Sequence, residues 1–207
     1  MKPLNLLLLD CSPRRDYSTS RHLTEQLLPA LSAHFGREIH VMRRNLGTEP
    51  LPAMTAEYAE SLLLAAAEAK ERHGAALAGS DALIQELEQA DLLWISTPVH
   101  NFTVPAVLKN WIDLVVRRDV TFIATPEGKI GLLRDRPTFV AVTSGGAMFR
   151  DPPVQPDFFR PYLTAVLGII GLKDVRFTHA TGLAFAEVPQ SVIEAQATQS
   201  LRSGALL

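Results

Sequence analysis

A cluster of hydroxyl side chains follows the first apolar run of the sequence and is the clearest place where residue types and spacing could bind a ligand. Residues 11–20 read CSPRRDYSTS, immediately before a predicted helix. The hydroxyls belong to Ser12, Ser18, Thr19 and Ser20. Hydroxyls, free main-chain N–H groups and the positive end of a helix dipole together suit a phosphate monoester. One hydroxyl is expected to cap the helix. On this loop alone a phosphate site and a solvated turn both remain open.

Two further loops could form the walls of a site. TPVHNFTVP occupies residues 97–105, and Pro98 stops strand pairing there. The irregular backbone that follows, with N–H groups able to face a flat heterocycle, comprises Val99, His100, Asn101 and Phe102. TSGGAMF occupies residues 143–149, where adjacent glycines allow main chain to approach a ligand closely. This third loop contributes Ser144, Gly145, Gly146 and Ala147. Tight turns also use proline and glycine, so neither loop is decisive alone.

Alternating strands and helices must position these loops. Apolar runs at residues 4–10, 91–97 and 138–143 are typical of parallel strands covered on both faces. Weaker edge strands are predicted at residues 38–43 and 174–181. Helices are predicted at residues 21–35, 56–72, 80–90, 105–117, 158–171 and 188–202. The order favours a single α/β domain over residues 1–207, with a doubly wound, five-stranded parallel sheet between two helical layers. Such sheets bind ligands beyond the carboxyl ends of their strands, where all three loops lie. The combined site then has a phosphate socket and two backbone-lined walls, the shape of a site for flavin mononucleotide (FMN).

Composition excludes several other classes. A net charge of −2 offers no field to attract nucleic acid or an anionic membrane, so neither is an expected partner. The single cysteine, Cys11, excludes a disulfide framework and suits the cytoplasm. The first apolar run is too short to span a membrane. The first loop lacks the glycine fingerprint of dinucleotide sites, and scattered histidines predict no metal site.

Two aromatic residues are candidates for contact with a flat substrate. Phe122 lies in a long connection, residues 118–136, that could cover a ligand or could hold a short extra strand packed on the body. Phe149 closes the third loop and could stack on an acceptor or belong to the core. The helix after the second loop carries Trp111, Val115 and Val116, which would suit a subunit interface but would look the same in a core helix.

The motifs resemble those of FMN-dependent NADH azoreductases and quinone reductases, a flavodoxin-like family. The resemblance rests on SPR with STS, PVHNFTVP with LKNWID, DVTF and VTSGG, and it continues through PYLTAVLGIIGL at residues 161–172. It implies a flavodoxin-like three-layer fold, bound FMN, and NADH or NADPH as co-substrate. It also implies two-electron reduction of quinones or azo compounds by ping-pong hydride transfer, and a homodimer.

Carried over by position, the resemblance assigns the FMN phosphate and ribityl end to the hydroxyl loop and the ring to the other two loops. No side-chain nucleophile is implied, because the hydride chemistry belongs to the flavin. Two departures stand out: His100 replaces a frequent tyrosine or tryptophan, and SGGA replaces SRGG at Ser144. His100 could donate a hydrogen bond to the ring or acceptor, or it could simply fill space. The alternative function from another class is a flavodoxin-type electron carrier without catalysis, although such carriers are strongly acidic.

Overall fold

A five-stranded parallel sheet forms the centre of the protein. The computed structural model describes residues 2–149, 154–182, 191 and 195. The strands of the sheet are β1 (Leu4–Asp10), β2 (Ile39–Arg44), β3 (Leu92–Pro98), β6 (Thr138–Thr143) and β7 (Val175–Ala180). Between β3 and β6 the chain forms a separate antiparallel hairpin of β4 (Phe122–Thr125) and β5 (Gly128–Gly131). The sheet order is β2-β1-β3-β6-β7, with every neighbouring pair parallel. The predicted fold class is therefore confirmed. The order reverses between β1 and β3, where doubly wound sheets bind ligands.

Alternate residues of the central strands belong to two separate cores. Leu6 and Leu8 pack in one cluster with Trp94, while Leu7 and Leu9 pack in a larger cluster on the other face. All of these leucines are at most 1% exposed. Burial on both faces explains why these strands are continuous apolar runs rather than alternating ones.

Five helices cover the two faces within the described residues. They are α1 (Thr19–Phe35), α2 (Ala56–Ser61), α3 (Ala66–Gln89), α4 (Ala106–Val115) and α5 (Phe159–Ile169). Leucines of α1 belong to the smaller core, whereas α3, α4 and α5 contribute to the larger one. The helix predicted at residues 188–202 lies outside the described residues, apart from positions 191 and 195.

The boundaries predicted for α2 and α3 were wrong. The helix expected at residues 56–72 ends at Ser61, and α3 then runs through residues 66–89 with one non-helical residue, His73. Gly74 and Gly79 lie between the two helices predicted at residues 56–72 and 80–90, and both are inside α3. Buried Leu77, Leu83 and Leu87 hold this helix to the sheet, and their burial outweighs the weak helix propensity of glycine.

The long connection after α4 is the hairpin of β4 and β5 rather than a cover for the cleft. Phe122 is 8% exposed and lies beneath the Lys129 ammonium, 4.9 Å from the ring centre. Of the two interpretations of this segment, the short strand packed on the body is the one observed. Trp111 and Val115 are fully buried in the larger core, so they are core residues of α4 and not an exposed interface.

Among the described residues, no helix combines the length and apolarity needed to cross a membrane. In the same part of the chain, no group of three or more histidine, cysteine, aspartate or glutamate side chains could hold a metal ion.

Candidate functional site

The three predicted loops meet in one cleft of about 470 Å³. They follow β1, β3 and β6, which are adjacent in the sheet and end at the same edge. The residues that line the cleft are Ser12, Pro13, Arg14, Ser18, Thr19, Ser20, Pro98, Val99, His100, Thr143, Ser144 and Gly145. The structure thus brings eight of the twelve predicted cofactor contacts together. Asn101, Phe102, Gly146 and Ala147 are outside this lining but continue its loops.

Ser12 and Ser18 line the cleft, and the hydroxyl oxygen of each accepts a main-chain hydrogen bond. The Ser18 Oγ is the N-cap of α1 and accepts the Arg21 N–H over 3.2 Å. The Ser12 Oγ accepts the Arg14 N–H over 3.3 Å. Because a main-chain donor already occupies a lone pair of each oxygen, each hydroxyl can donate its proton either to a ligand or to a neighbouring hydroxyl.

Ser18 and Ser20 also contact each other. Their Oγ atoms are 3.2 Å apart, and both side chains are at most 2% exposed. One hydroxyl must donate to the other, so the pair has a single proton left for a ligand. Thr19, between them, is partly exposed. In this part of the loop Ser18 caps α1 and is hydrogen-bonded to Ser20, so the hydroxyls of the loop are not independent of one another as donors to a phosphate.

The donor set fits a phosphate group. The first N–H groups of a helix lack intrahelical acceptors, and the dipole of α1 places partial positive charge at the same point. The hydroxyl-bearing residues of the loop line the cleft at this point, and Arg14 lies exposed at its rim. A cavity lined by donors and a helix N-terminus favours an anion over a neutral or cationic group.

A tight turn shapes the second wall. His100 and Thr103 exchange two main-chain hydrogen bonds of 3.0 Å. The two central residues have positive φ, 47° at Asn101 and 70° at Phe102, as a type I′ turn requires. Positive φ is uncommon for phenylalanine, and such strain is concentrated at functional sites. The turn holds the exposed His100 side chain at the cleft.

The main-chain donors of the walls are fewer than the sequence suggests. The Val99 N–H donates to the Thr143 carbonyl over 2.8 Å, and the Ser144 N–H donates to the Ala180 carbonyl over 2.9 Å. These bonds extend the sheet and remove both groups from contact with a ligand. Gly145, Gly146 and Ala147 have N–H groups without a hydrogen-bond acceptor in the described part of the chain. Main-chain N–H groups that this loop could offer to a ligand are therefore those of these three residues.

Phe149 is not a wall of the cleft. Its side chain is 9% exposed and its ring centre lies 5.1 Å from that of His179. The Arg160 guanidinium lies 4.9 Å from the same ring, and Phe159 contacts it edge-on. Asp157 anchors this group because one carboxylate oxygen accepts the N–H groups of Phe159 and Arg160, each over 3.0 Å. Neither Phe149 nor Phe122 lines the cleft of this chain, and their contact with an acceptor stays a prediction.

Three supporting residues were not found by sequence reasoning. Asp10 hydrogen-bonds the Ser12 N–H and pairs with Arg21, and Gly47 packs against the Ser12 main chain. A charged residue ending a buried strand was the available signal for Asp10. No local pattern marks Gly47, because its closeness to Ser12 is created by the pairing of β1 with β2.

Cys11 lies directly beneath this loop and is fully buried. Burial and the neighbouring Asp10 carboxylate raise the pKa of its thiol far above the ordinary value. A thiol that stays protonated is a poor nucleophile, so Cys11 is not expected to react with a ligand in the cleft.

The fold and the cleft together define the flavodoxin-like class of α/β proteins. A family model described as a flavodoxin-like fold matches residues 4–203. The structure resembles an azoreductase from Bacillus anthracis, with a TM-score of 0.80 and 23% identity over 99% of this chain and 100% of that one. A second azoreductase structure from that species, an FMN-dependent enzyme in complex with FMN, also gives 0.80, with 22% identity over 98% and 97% of the two chains.

Proteins that are similar in sequence indicate a narrower family than the fold does. An FMN-dependent NADH:quinone oxidoreductase of Pseudomonas fluorescens is 42% identical over 200 residues, which cover 96% of this chain and 95% of the relative. One of Burkholderia lata is 42% identical over 196 residues, or 95% and 94% of the two chains. The chain belongs to the flavodoxin-like family of FMN-dependent NADH:quinone oxidoreductases, which confirms the resemblance seen in its motifs.

Proposed function

We propose that this protein is an FMN-dependent NADH:quinone oxidoreductase that also reduces azo compounds. The observation that carries the proposal is the cleft itself, in which a donor-rich phosphate socket and two main-chain walls converge at the switch point of the sheet. The names of the relatives, at 42% identity over nearly the whole chain, support the same activity.

The residues of the chain supply binding and orientation. Ser12, Ser18 and the first turn of α1 would hold the phosphate, and the glycine loop would donate N–H groups to the polar edge of the ring. Bound FMN would supply the redox chemistry by taking a hydride from NADH and returning two electrons to the acceptor. NADH and the quinone would bind the same surface in turn, in the ping-pong order that the family resemblance implies.

Steady-state kinetics tests this proposal. The protein loaded with FMN should oxidise NADH only when a quinone or azo compound is present, with parallel double-reciprocal lines. Initial rates with NADH and NADPH and one quinone would decide the nucleotide, for which the relatives' names favour NADH. Failure of the protein to bind FMN would overturn the proposal, and intersecting lines would overturn the ping-pong order.

The alternative of a non-catalytic electron carrier is not supported. The relatives are oxidoreductases by name, and a net charge of −2 lacks the acidic surface with which such carriers bind partners. Slow NADH oxidation with added quinone but fast one-electron exchange with a redox protein would favour the carrier instead.

A homodimer in the cytoplasm completes the proposal. Two large apolar side chains are exposed, Phe102 of the second loop at 42% and Phe158, the residue before α5, at 60%. Exposed apolar patches are typical of protein interfaces. Light scattering coupled to size-exclusion chromatography should give twice the 22.7 kDa of one chain. A mass of one chain at micromolar concentration would contradict this part.

A further inference from the structure

Asp10 is a buried carboxylate behind the phosphate socket, and the proposed function gives it no direct part. Its side chain is 0% exposed and does not line the cleft. It stands at the last position of β1, next to the loop that carries Ser12. A charge removed from water must be matched by partners, so the contacts of this carboxylate indicate what it does.

Each oxygen of the Asp10 carboxylate binds a different side of the socket. Oδ1 accepts the main-chain N–H of Ser12 over 3.2 Å, two residues along the chain, as in an Asx-turn. Oδ2 accepts the Nε–H of Arg21 over 2.5 Å. Arg21 lies in the first turn of α1, and its own N–H donates to the Ser18 cap. One carboxylate thus connects the loop donor Ser12 to the helix donor Ser18.

The negative charge of the Asp10 carboxylate is balanced by two neighbouring arginine side chains, Arg21 and Arg43. The Arg43 guanidinium approaches the carboxylate to 3.8 Å and also pairs with Glu25. Arg21 and Arg43 are thus balanced by Asp10 and Glu25, and neither arginine is free to bind the phosphate. Apart from Arg14 at the rim, the serine and threonine residues that line the socket are neutral donors, so binding depends on their positions. Those positions depend on the bonds that Asp10 makes.

We propose that Asp10 is a positioning residue for the phosphate group of the flavin: it fixes the spacing between the Ser12 side and the helix side of the socket. The inference rests on the proposed function, since it presumes that FMN occupies the cleft. Electrostatics alone predicts the opposite of positioning. Removing a negative charge near the socket should strengthen binding of an anion, whereas loss of positioning should weaken it.

The test compares FMN with riboflavin, which lacks the phosphate, in wild type and in Asp10→Asn. The amide oxygen can still accept from Ser12, but its NH₂ group cannot accept from Arg21. The expected result is at least a tenfold loss of FMN affinity with less than a twofold change for riboflavin. Flavin fluorescence quenching on the apoprotein measures both constants without turnover.

Asp81→Asn is a matched control for general damage. Asp81 pairs with Arg117, which is 6% exposed, at 2.5 Å and far along the chain from the socket. This variant should lose stability but keep the wild-type ratio of FMN to riboflavin affinity. Arg21→Gln should reproduce the phosphate-selective loss, and the double variant with Asp10→Asn should be no worse than either single one.

A second measurement does not need flavin. Hydrogen exchange of the Ser12 amide in the apoprotein should accelerate at least tenfold in Asp10→Ala, which removes the acceptor of the Ser12 N–H, and stay unchanged in Asp81→Asn. Equal losses for FMN and riboflavin, tighter FMN binding, or an unchanged Ser12 exchange rate would each overturn the role of Asp10. If wild type binds no FMN, the proposed function fails, and the exchange rates still decide whether Asp10 holds the loop.

Discussion

Gly47 lies against the main chain of Ser12 so closely that a Cβ atom on Gly47 would stand 2.2 Å from the Ser12 carbonyl oxygen. The Gly47 N–H also donates to the Asp10 carbonyl over 3.0 Å. The segment that follows the edge strand β2 therefore supports the phosphate loop from outside. Any side chain at this position must push the loop toward the cleft or force the two segments apart.

Gly47→Ala is expected to weaken FMN binding about tenfold and to lower stability, because the contacted atoms are main chain and cannot rotate away. Gly79→Ala is the control, since Gly79 is exposed in α3 with no atom near its Cβ position. There the same substitution should raise the free energy of unfolding by up to about 1 kcal/mol. FMN titration and urea unfolding measure both effects; equal FMN affinity in the two variants would contradict the steric argument.

The sequence predicted those parts of the site that local chemistry determines. The strands before the three loops are apolar because both faces are covered, and Ser18 precedes α1 because a helix needs a cap. Each of these features leaves its signal within a few residues of the chain. The positions of β1, β3 and β6, and hence the convergence of their loops, follow from that pattern.

Features created by distant packing could not be predicted in the same way. Gly47 is critical only because β2 lies beside β1, and Phe149 is buried only because His179 and Arg160 close over it. An aromatic residue that follows a glycine-rich loop gives the same sequence pattern whether its side chain packs in the core or lines a binding cleft. Val99 shows the same limit, because its N–H is consumed by Thr143 of a strand distant in sequence.

Ser18→Asp should separate the two roles proposed for Ser18, which are to cap α1 and to bind the phosphate of FMN. Aspartate caps helices about as well as serine, so the apoprotein should unfold within about 0.5 kcal/mol of wild type. A carboxylate at the socket repels the phosphate, so FMN affinity should fall more than tenfold. In Ser18→Ala the cap is lost, and stability should fall by about 1 kcal/mol. Undiminished FMN binding in Ser18→Asp, measured by fluorescence, would place the phosphate elsewhere.

Phe149→Leu tests whether this residue contacts the acceptor. Its ring is enclosed by His179, Arg160 and Phe159, so a smaller apolar side chain should lower the free energy of unfolding by about 1 kcal/mol. The KM for the quinone should remain within twofold of wild type, because the ring does not reach the cleft. A several-fold rise in KM without loss of stability would restore the stacking role.

His179 should make stability depend on pH. Burial, and then the nearby Arg160 charge, lower the pKa of His179 below its ordinary value of 6.5, against a smaller opposing effect of Asp157. Since the unfolded chain binds this proton more readily, the contribution of neutral His179 is complete above about pH 6.5 and is lost as the pH falls toward the native pKa.

His179→Gln should therefore lose less stability than wild type between pH 7.5 and pH 5.5, as measured by urea unfolding of the apoprotein. Arg160→Gln should reduce the pH dependence in part, because it removes the neighbouring positive charge but not the burial. Identical pH profiles for wild type and His179→Gln would show that this histidine does not titrate abnormally.

Phe102→Gly should stabilise the fold while impairing the site. Left-handed backbone at φ 70° costs a non-glycine residue about 1–2 kcal/mol, and glycine loses roughly 0.5–1 kcal/mol more backbone entropy on folding. The net gain is up to about 1.5 kcal/mol, because the 42%-exposed ring contributes little burial. Asn101→Gly, at φ 47°, should gain less, since asparagine tolerates this conformation. Phe102 keeps a strained backbone conformation beside the cleft, and strain of this kind is typical of functional sites. Quinone reduction should therefore slow in Phe102→Gly despite the higher stability of this variant. Unchanged turnover together with the stability gain would mean that the ring plays no part in the site.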